Sequence, residues 1–78
     1  GLPLPARGLS KWLNGEARAG APASIERDNL NRTKKLIQDS WIMTFGWSEK
    51  NQLQKMELKR DSSMGAIEIR LIFETIDD

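Results

Sequence analysis

From Trp41 onward apolar side chains recur at every second position: Trp41, Met43, Phe45 and Trp47, then Met56 and Leu58, then Ile67, Ile69, Leu71 and Phe73. A spacing of two is the side-chain period of a strand with one buried face, whereas a helix spaces its buried residues by three and four. Three such runs predict three antiparallel strands over 40–47, 52–60 and 66–76, joined by turn-forming residues at 48–51 and 61–65. The register of the second hairpin follows from charge. Pairing Lys59 with Glu68 and Glu57 with Arg70 sets Leu58 opposite Ile69 and Met56 opposite Leu71. A slip by two would oppose Glu57 to Glu68, which costs about 0.2–1 kcal/mol. In the first hairpin the same parity allows Met43 to face Met56 and Trp41 to face Leu58.

Upstream, Pro22, Ala23 and Ser24 read as the start of a helix over 25–39, with Ser24 as N-cap and Glu26 in the first turn. Asp28 with Arg32 and Lys35 with Asp39 stand four apart, and Leu30, Thr33, Ile37 and Trp41, with Leu36 alongside, form the stripe to be buried. Residues 40–47 also fit a continuation of that helix through Ile37, Trp41 and Phe45; their β-branched and aromatic content favours the strand. The expected fold is α+β: one helix packed on a three-stranded antiparallel meander, in the order α-β-β-β, preceded by an irregular Pro/Gly-rich arm. The division is 1–23 for a flexible basic arm with a short helical turn and 24–78 for the small α+β domain.

The arm holds all three prolines and four of the six glycines. Such a composition buries little apolar surface by itself. Within it Ser10 is placed to cap a turn carrying Leu9, Trp12 and Leu13, and Gly15 to end it. Trp12 either folds back over the edge of its own core or inserts into another chain, since an aromatic flanked by leucines is the usual form of an interface anchor.

Seventy-eight residues without cysteine or histidine build one small core with no disulfide, no thiolate metal site and no imidazole for acid–base work. No Gly-rich phosphate loop, spaced carboxylate pair or nucleophile triad is present, so no catalytic, cofactor-binding or metal-binding residue is assigned, and neither an enzyme nor a small-molecule substrate is expected. No apolar run reaches the ~18 residues of a membrane span. The expectation is a soluble intracellular protein, cytoplasmic or nuclear, without a membrane partner.

Extra stability would then come from association. The meander leaves two strand edges open, 40–47 and 66–76, and the third strand carries Ile72 and Ile76 on its polar face. The sequence therefore points to a non-enzymatic protein-interaction and oligomerisation module, a homo-oligomer or a subunit of a larger assembly, binding through Leu9, Trp12, Leu13, Ile72 and Ile76. The alternative is a small RNA- or single-stranded-DNA-binding protein. Net charge is +1, but Arg7, Lys11 and Arg18 against Glu16 leave the arm at +2, and Arg32, Lys34 and Lys35 cluster nearby. Tryptophans could stack on bases, and Lys55, Lys59, Arg60 and Arg70 would lie on the outer sheet face among Glu57, Glu68 and Glu74.

Overall fold

The computed structural model describes residues 8–73. Five strands form one antiparallel sheet in chain order: β1 (Ser24–Arg27), β2 (Thr33–Gln38), β3 (Trp41–Trp47), β4 (Leu53–Ser62) and β5 (Gly65–Ile72). The one helix among the described residues is the single turn α1 (Leu9–Trp12). The expected α-β-β-β arrangement is thereby corrected, because the segment expected to be helical is a β-hairpin.

Local side-chain chemistry explains the difference. Asp28 Oδ1 accepts the backbone N–H of both Leu30 and Arg32 at 2.9 Å, and its Oδ2 accepts Arg32 Nε at 2.8 Å. Aspartate that bonds nearby backbone in this way competes with the helix and organises a turn. The Asp28–Arg32 spacing that suggested a helical ion pair thus closes the β1–β2 connection, where Asn31 has φ 63°. Beyond it, Leu36 and Gln38 are buried on either side of the more exposed Ile37, the alternation of a strand. Asp39 and Ser40 then take φ 54° and 66°. Two residues with positive φ are the requirement of the two-residue hairpin turn whose twist suits antiparallel strands. Ser24 begins β1 and caps nothing.

The β4–β5 register is the expected one: Lys59 faces Glu68, Leu58 faces Ile69, Glu57 faces Arg70 and Met56 faces Leu71. The β3–β4 register is shifted by two from expectation, with Met43 opposite Leu58 and Phe45 opposite Met56. An irregularity at Gly46 and Trp47 ends this ladder, and Ser48 Oγ caps the loop by accepting from the N–H groups of Lys50 and Gln52. β3 is the central strand, not an edge; the edges are β1 and β5.

One face of the sheet carries the core: Leu36, Trp41, Met43, Phe45, Met56 and Leu58, with Trp12 of α1 laid over them. The other face is charged. Lys55 meets Glu57 at 3.1 Å, while Lys59–Glu68 and Arg70–Glu57 are looser at 3.9 Å. Exposed pairs of this kind contribute little, about 0–1 kcal/mol each, but they keep that face wetted.

Candidate functional site

Among the described residues, the segment from Gly8 to Ala21 is laid over part of the apolar sheet face through Leu9, Trp12, Leu13 and Ala17. α1 ends in a Schellman-type cap: Glu16 N–H bonds Lys11 O at 2.9 Å, Gly15 N–H bonds Trp12 O at 2.8 Å, and Gly15 has φ 74°. The turn brings the Gly15 carbonyl onto Thr33 Oγ1, which donates to it at 2.6 Å, and a Cβ on Gly15 would stand 3.2 Å from Thr33 Cβ. Glycine is therefore required there by conformation and by space.

Farther along, Gln38 clamps the segment to β2. Its Oε1 accepts Trp12 Nε1 at 2.8 Å and Arg18 N–H at 2.9 Å; its Nε2 donates to the carbonyls of Arg18 and Ala21 at 3.0 Å. All four hydrogen-bonding positions of the amide are used, which is what makes a buried Gln tolerable. Beside it Arg18 grips Asp39 with two contacts, Nε–Oδ2 at 2.6 Å and Nη2–Oδ1 at 3.0 Å. This hydrogen bond, aided by the charges of Arg18 and Arg60, holds the Asp39 carboxyl below its ordinary range against the opposing effect of desolvation.

Among the described residues, the hydrogen bonds that hold the cover go to β2 and to Asp39 in the turn after it. Ile67, Ile69, Leu71 and Phe73 are only half-buried against the core. They form an apolar row along the β5 side of the face, and the register places Arg60 opposite Ile67 at one end of it. Arg60 belongs to the inner face, not the outer one expected from its neighbours: its guanidinium carbon sits 5.7 Å from the centroid of the Trp41 ring. Extending the Met56–Leu58 alternation by one step would have located it. Trp41 is fully buried, and its Nε1 has no hydrogen-bond partner among the described residues. What this arrangement can do is hold a long apolar group along the row, with a cation at its end. Among the described residues no group of three metal-ligating side chains occurs, and no helix is long and apolar enough to cross a membrane.

The other residues singled out from sequence are placed as follows. Trp12 is buried within its own chain, with Leu9 and Leu13 packed against the same core. Ile72 is 67% exposed on β5. Arg7 and Ile76 lie outside the described residues. Lys11 pairs with Glu16 at 3.6 Å, Arg18 with Asp39 and Arg32 with Asp28. Lys34 is exposed and Lys35 half-buried on β2. The residue that sequence reasoning missed is Gln38, whose polar side chain gave no sign that it would be buried; Thr33, placed in the buried stripe of the expected helix, is buried on β2 instead.

Residues 1–75 match the family model described as outer membrane lipoprotein LolB. The chain is 31% identical over 77 residues to the outer-membrane lipoprotein LolB of Cupriavidus necator, covering 95% of this chain and 39% of that relative. To the protein of the same name from Cupriavidus taiwanensis it is 28% identical over 83 residues, covering 95% and 41%. The chain thus spans about two-fifths of the length of the curated relatives it matches. No solved structure matches it significantly. These matches correct four expectations. A family of outer-membrane lipoproteins overturns both the oligomerisation module and the nucleic-acid-binding alternative. It also overturns the exclusion of a membrane partner and the cytoplasmic or nuclear location. The matched family is not one of known enzymes.

Proposed function

This chain belongs to the family of the outer membrane lipoprotein LolB, and from that membership we propose that it serves lipoprotein localisation at the outer membrane by holding acyl chains against its apolar sheet face. The observation that carries the reading is the family match along 1–75 together with the half-covered row Ile67, Ile69, Leu71 and Phe73. An acyl chain needs apolar surface that is accessible and not already filled. The row offers that beside a rigid, fully packed core. The work is binding and release, with no covalent step. In this reading the segment from Gly8 to Ala21 closes one side of the face and the strands from Ser24 to Ile72 present the other.

A photo-crosslinking residue at Ile69, compared with one at Glu68 on the opposite face, tests the proposal with a purified triacylated lipoprotein. Crosslinks to the acylated protein from position 69 but not 68 are expected. Equal yields from the two faces, or none from position 69, would remove the acyl-binding role.

A further inference from the structure

We propose that Arg60 and Trp41 form an anion subsite at one end of the apolar row, so that the face prefers an amphiphile with an anionic phosphate headgroup, an anionic phospholipid, over a neutral one of equal chain length. The inference rests on the acyl-binding reading above and adds a headgroup preference to it.

Three observations meet at this end of the sheet. Arg60 is half-buried and packed over the Trp41 ring, yet it has no carboxylate within ion-pair distance among the described residues. The comparably buried arginines do: Arg18 has Asp39 at 2.6 Å and Arg32 has Asp28 at 2.8 Å. The acid whose field Arg60 shares, Asp39, is already engaged twice by Arg18, so the trio Arg18, Asp39 and Arg60 carries one uncompensated positive charge. Asp61 is exposed and, one residue on from Arg60, falls to the other face of the strand.

The second observation is the orphaned Trp41 Nε1. It is the one buried side-chain nitrogen or oxygen without a partner among the described residues, in a sheet that otherwise satisfies its polar atoms down to all four positions of Gln38. Buried donors are nearly always matched, and an unmatched one in the ring beneath an unpaired guanidinium marks a place where an acceptor is wanted. A phosphate oxygen answers both, with a charge-assisted bond to Arg60 and, once the arginine tip swings off the ring, an acceptor for the indole. The third observation is the row itself. From Ile67 to Phe73 it runs about 20 Å along β5 and just beyond, the scale of an extended long acyl chain. Charge and apolar length together fit an anionic lipid, which occupies both parts at once.

The test uses the full chain and three probes below their micelle-forming concentrations: a lysophosphatidylglycerol, the monoacylglycerol with the same acyl chain, and inorganic phosphate. The Trp41 indole N–H resonance and the binding constants are followed by NMR. The anionic lipid should bind about tenfold more tightly than the neutral one, the ratio that 1.4 kcal/mol gives, and should move the Trp41 indole signal. Arg60→Gln should bring the ratio to about one, and Arg60→Lys, with an unaltered amide spectrum, should retain part of the preference. Equal affinities in the wild type, or an unchanged ratio in Arg60→Gln, would overturn the subsite and leave the acyl-binding reading standing. Absence of binding by both lipids would overturn that reading and the subsite with it. Phosphate alone saturating the indole shift as tightly as the lipid would overturn the lipid as the occupant.

Discussion

The indole nitrogen of Trp12 donates to Oε1 of Gln38 across 26 residues of sequence, and both side chains are buried. This contact is one of several that join the N-terminal cover to the sheet, and the same oxygen accepts the Arg18 N–H. Replacing Gln38 by Leu keeps much of the volume and strands two donors and two carbonyls at once. Each buried unpaired group costs about 1–3 kcal/mol, with water relieving the less buried ones, so a total loss of about 2–4 kcal/mol is expected from urea unfolding. A loss below ~1 kcal/mol would mean that the cover is not held by this amide.

The two buried tryptophans should respond differently to the same change. Trp12→Phe removes an indole N–H that is bonded, whereas Trp41→Phe removes one that is orphaned. Both lose volume, but only the first leaves Gln38 short of a donor. Trp41→Phe should therefore be the milder substitution by about 1 kcal/mol or more, read from paired denaturation curves. The reverse order would show that Trp41 has an acceptor in solution.

Register in the β3–β4 hairpin is open to a double-mutant cycle. Met43 lies directly opposite Leu58, and Met56 lies opposite Phe45. Single Ala substitutions at Met43 and Leu58 should each cost about 2–5 kcal/mol, and the pair should couple by about 0.5 kcal/mol or more. Ile72→Ala, at an exposed position, should stay within about 0.5 kcal/mol of wild type. Stronger coupling between Met43 and Met56 than between Met43 and Leu58 would restore the alternative pairing.

Ser40 pays for its φ of 66° as a residue with a Cβ. Ser40→Gly should stabilise the protein by about 0.5 kcal/mol, the relief of left-handed strain less the extra chain entropy of glycine. A raised melting temperature checks it; destabilisation would place a lost Ser40 side-chain contact above the backbone term.

Acid should unfold the protein only below the ordinary carboxylate range. Asp39 is held low first by its hydrogen bond from Arg18, Asp28 first by the backbone N–H of Arg32, and Glu57 first by Lys55. A carboxyl with a lower pKa folded than unfolded stabilises the folded state above its unfolded pKa and loses that contribution as pH falls through its folded pKa. Stability should stay level from neutral pH to about 4 and then decline. In Asp39→Asn the decline should be shallower; an identical slope would remove Asp39 from the acid transition.

The β4–β5 hairpin was legible in the sequence because two independent signals agree there: the apolar period and the opposite charges of Glu57 with Arg70 and Lys59 with Glu68. The β1–β2 hairpin was not. Asp28 and Arg32 four apart describe a helical pair and a turn equally well, Asp39 and Ser40 form a tight turn without the usual glycine, and Gln38 reads as surface although it is buried. Of the site, Trp12 stood out as a large aromatic among leucines. Arg60 was hidden because a cation beside Lys59 and Asp61 looks solvated until strand parity assigns it to the inner face. Membership of the LolB family was not legible at all, since an apolar sheet face carries no motif.

Every pairing in the sheet joins strands that are consecutive in the chain, so the meander can assemble one hairpin at a time from contacts of short sequence separation. Local contacts of that kind favour rapid folding. The Gln38 clamp differs, since it closes loops of 17 to 26 residues onto a strand whose geometry must already exist. The segment that precedes the strands in the chain is therefore the one that docks last, and its arrival should appear as a distinct slow event in Trp12 fluorescence, after the strands have paired.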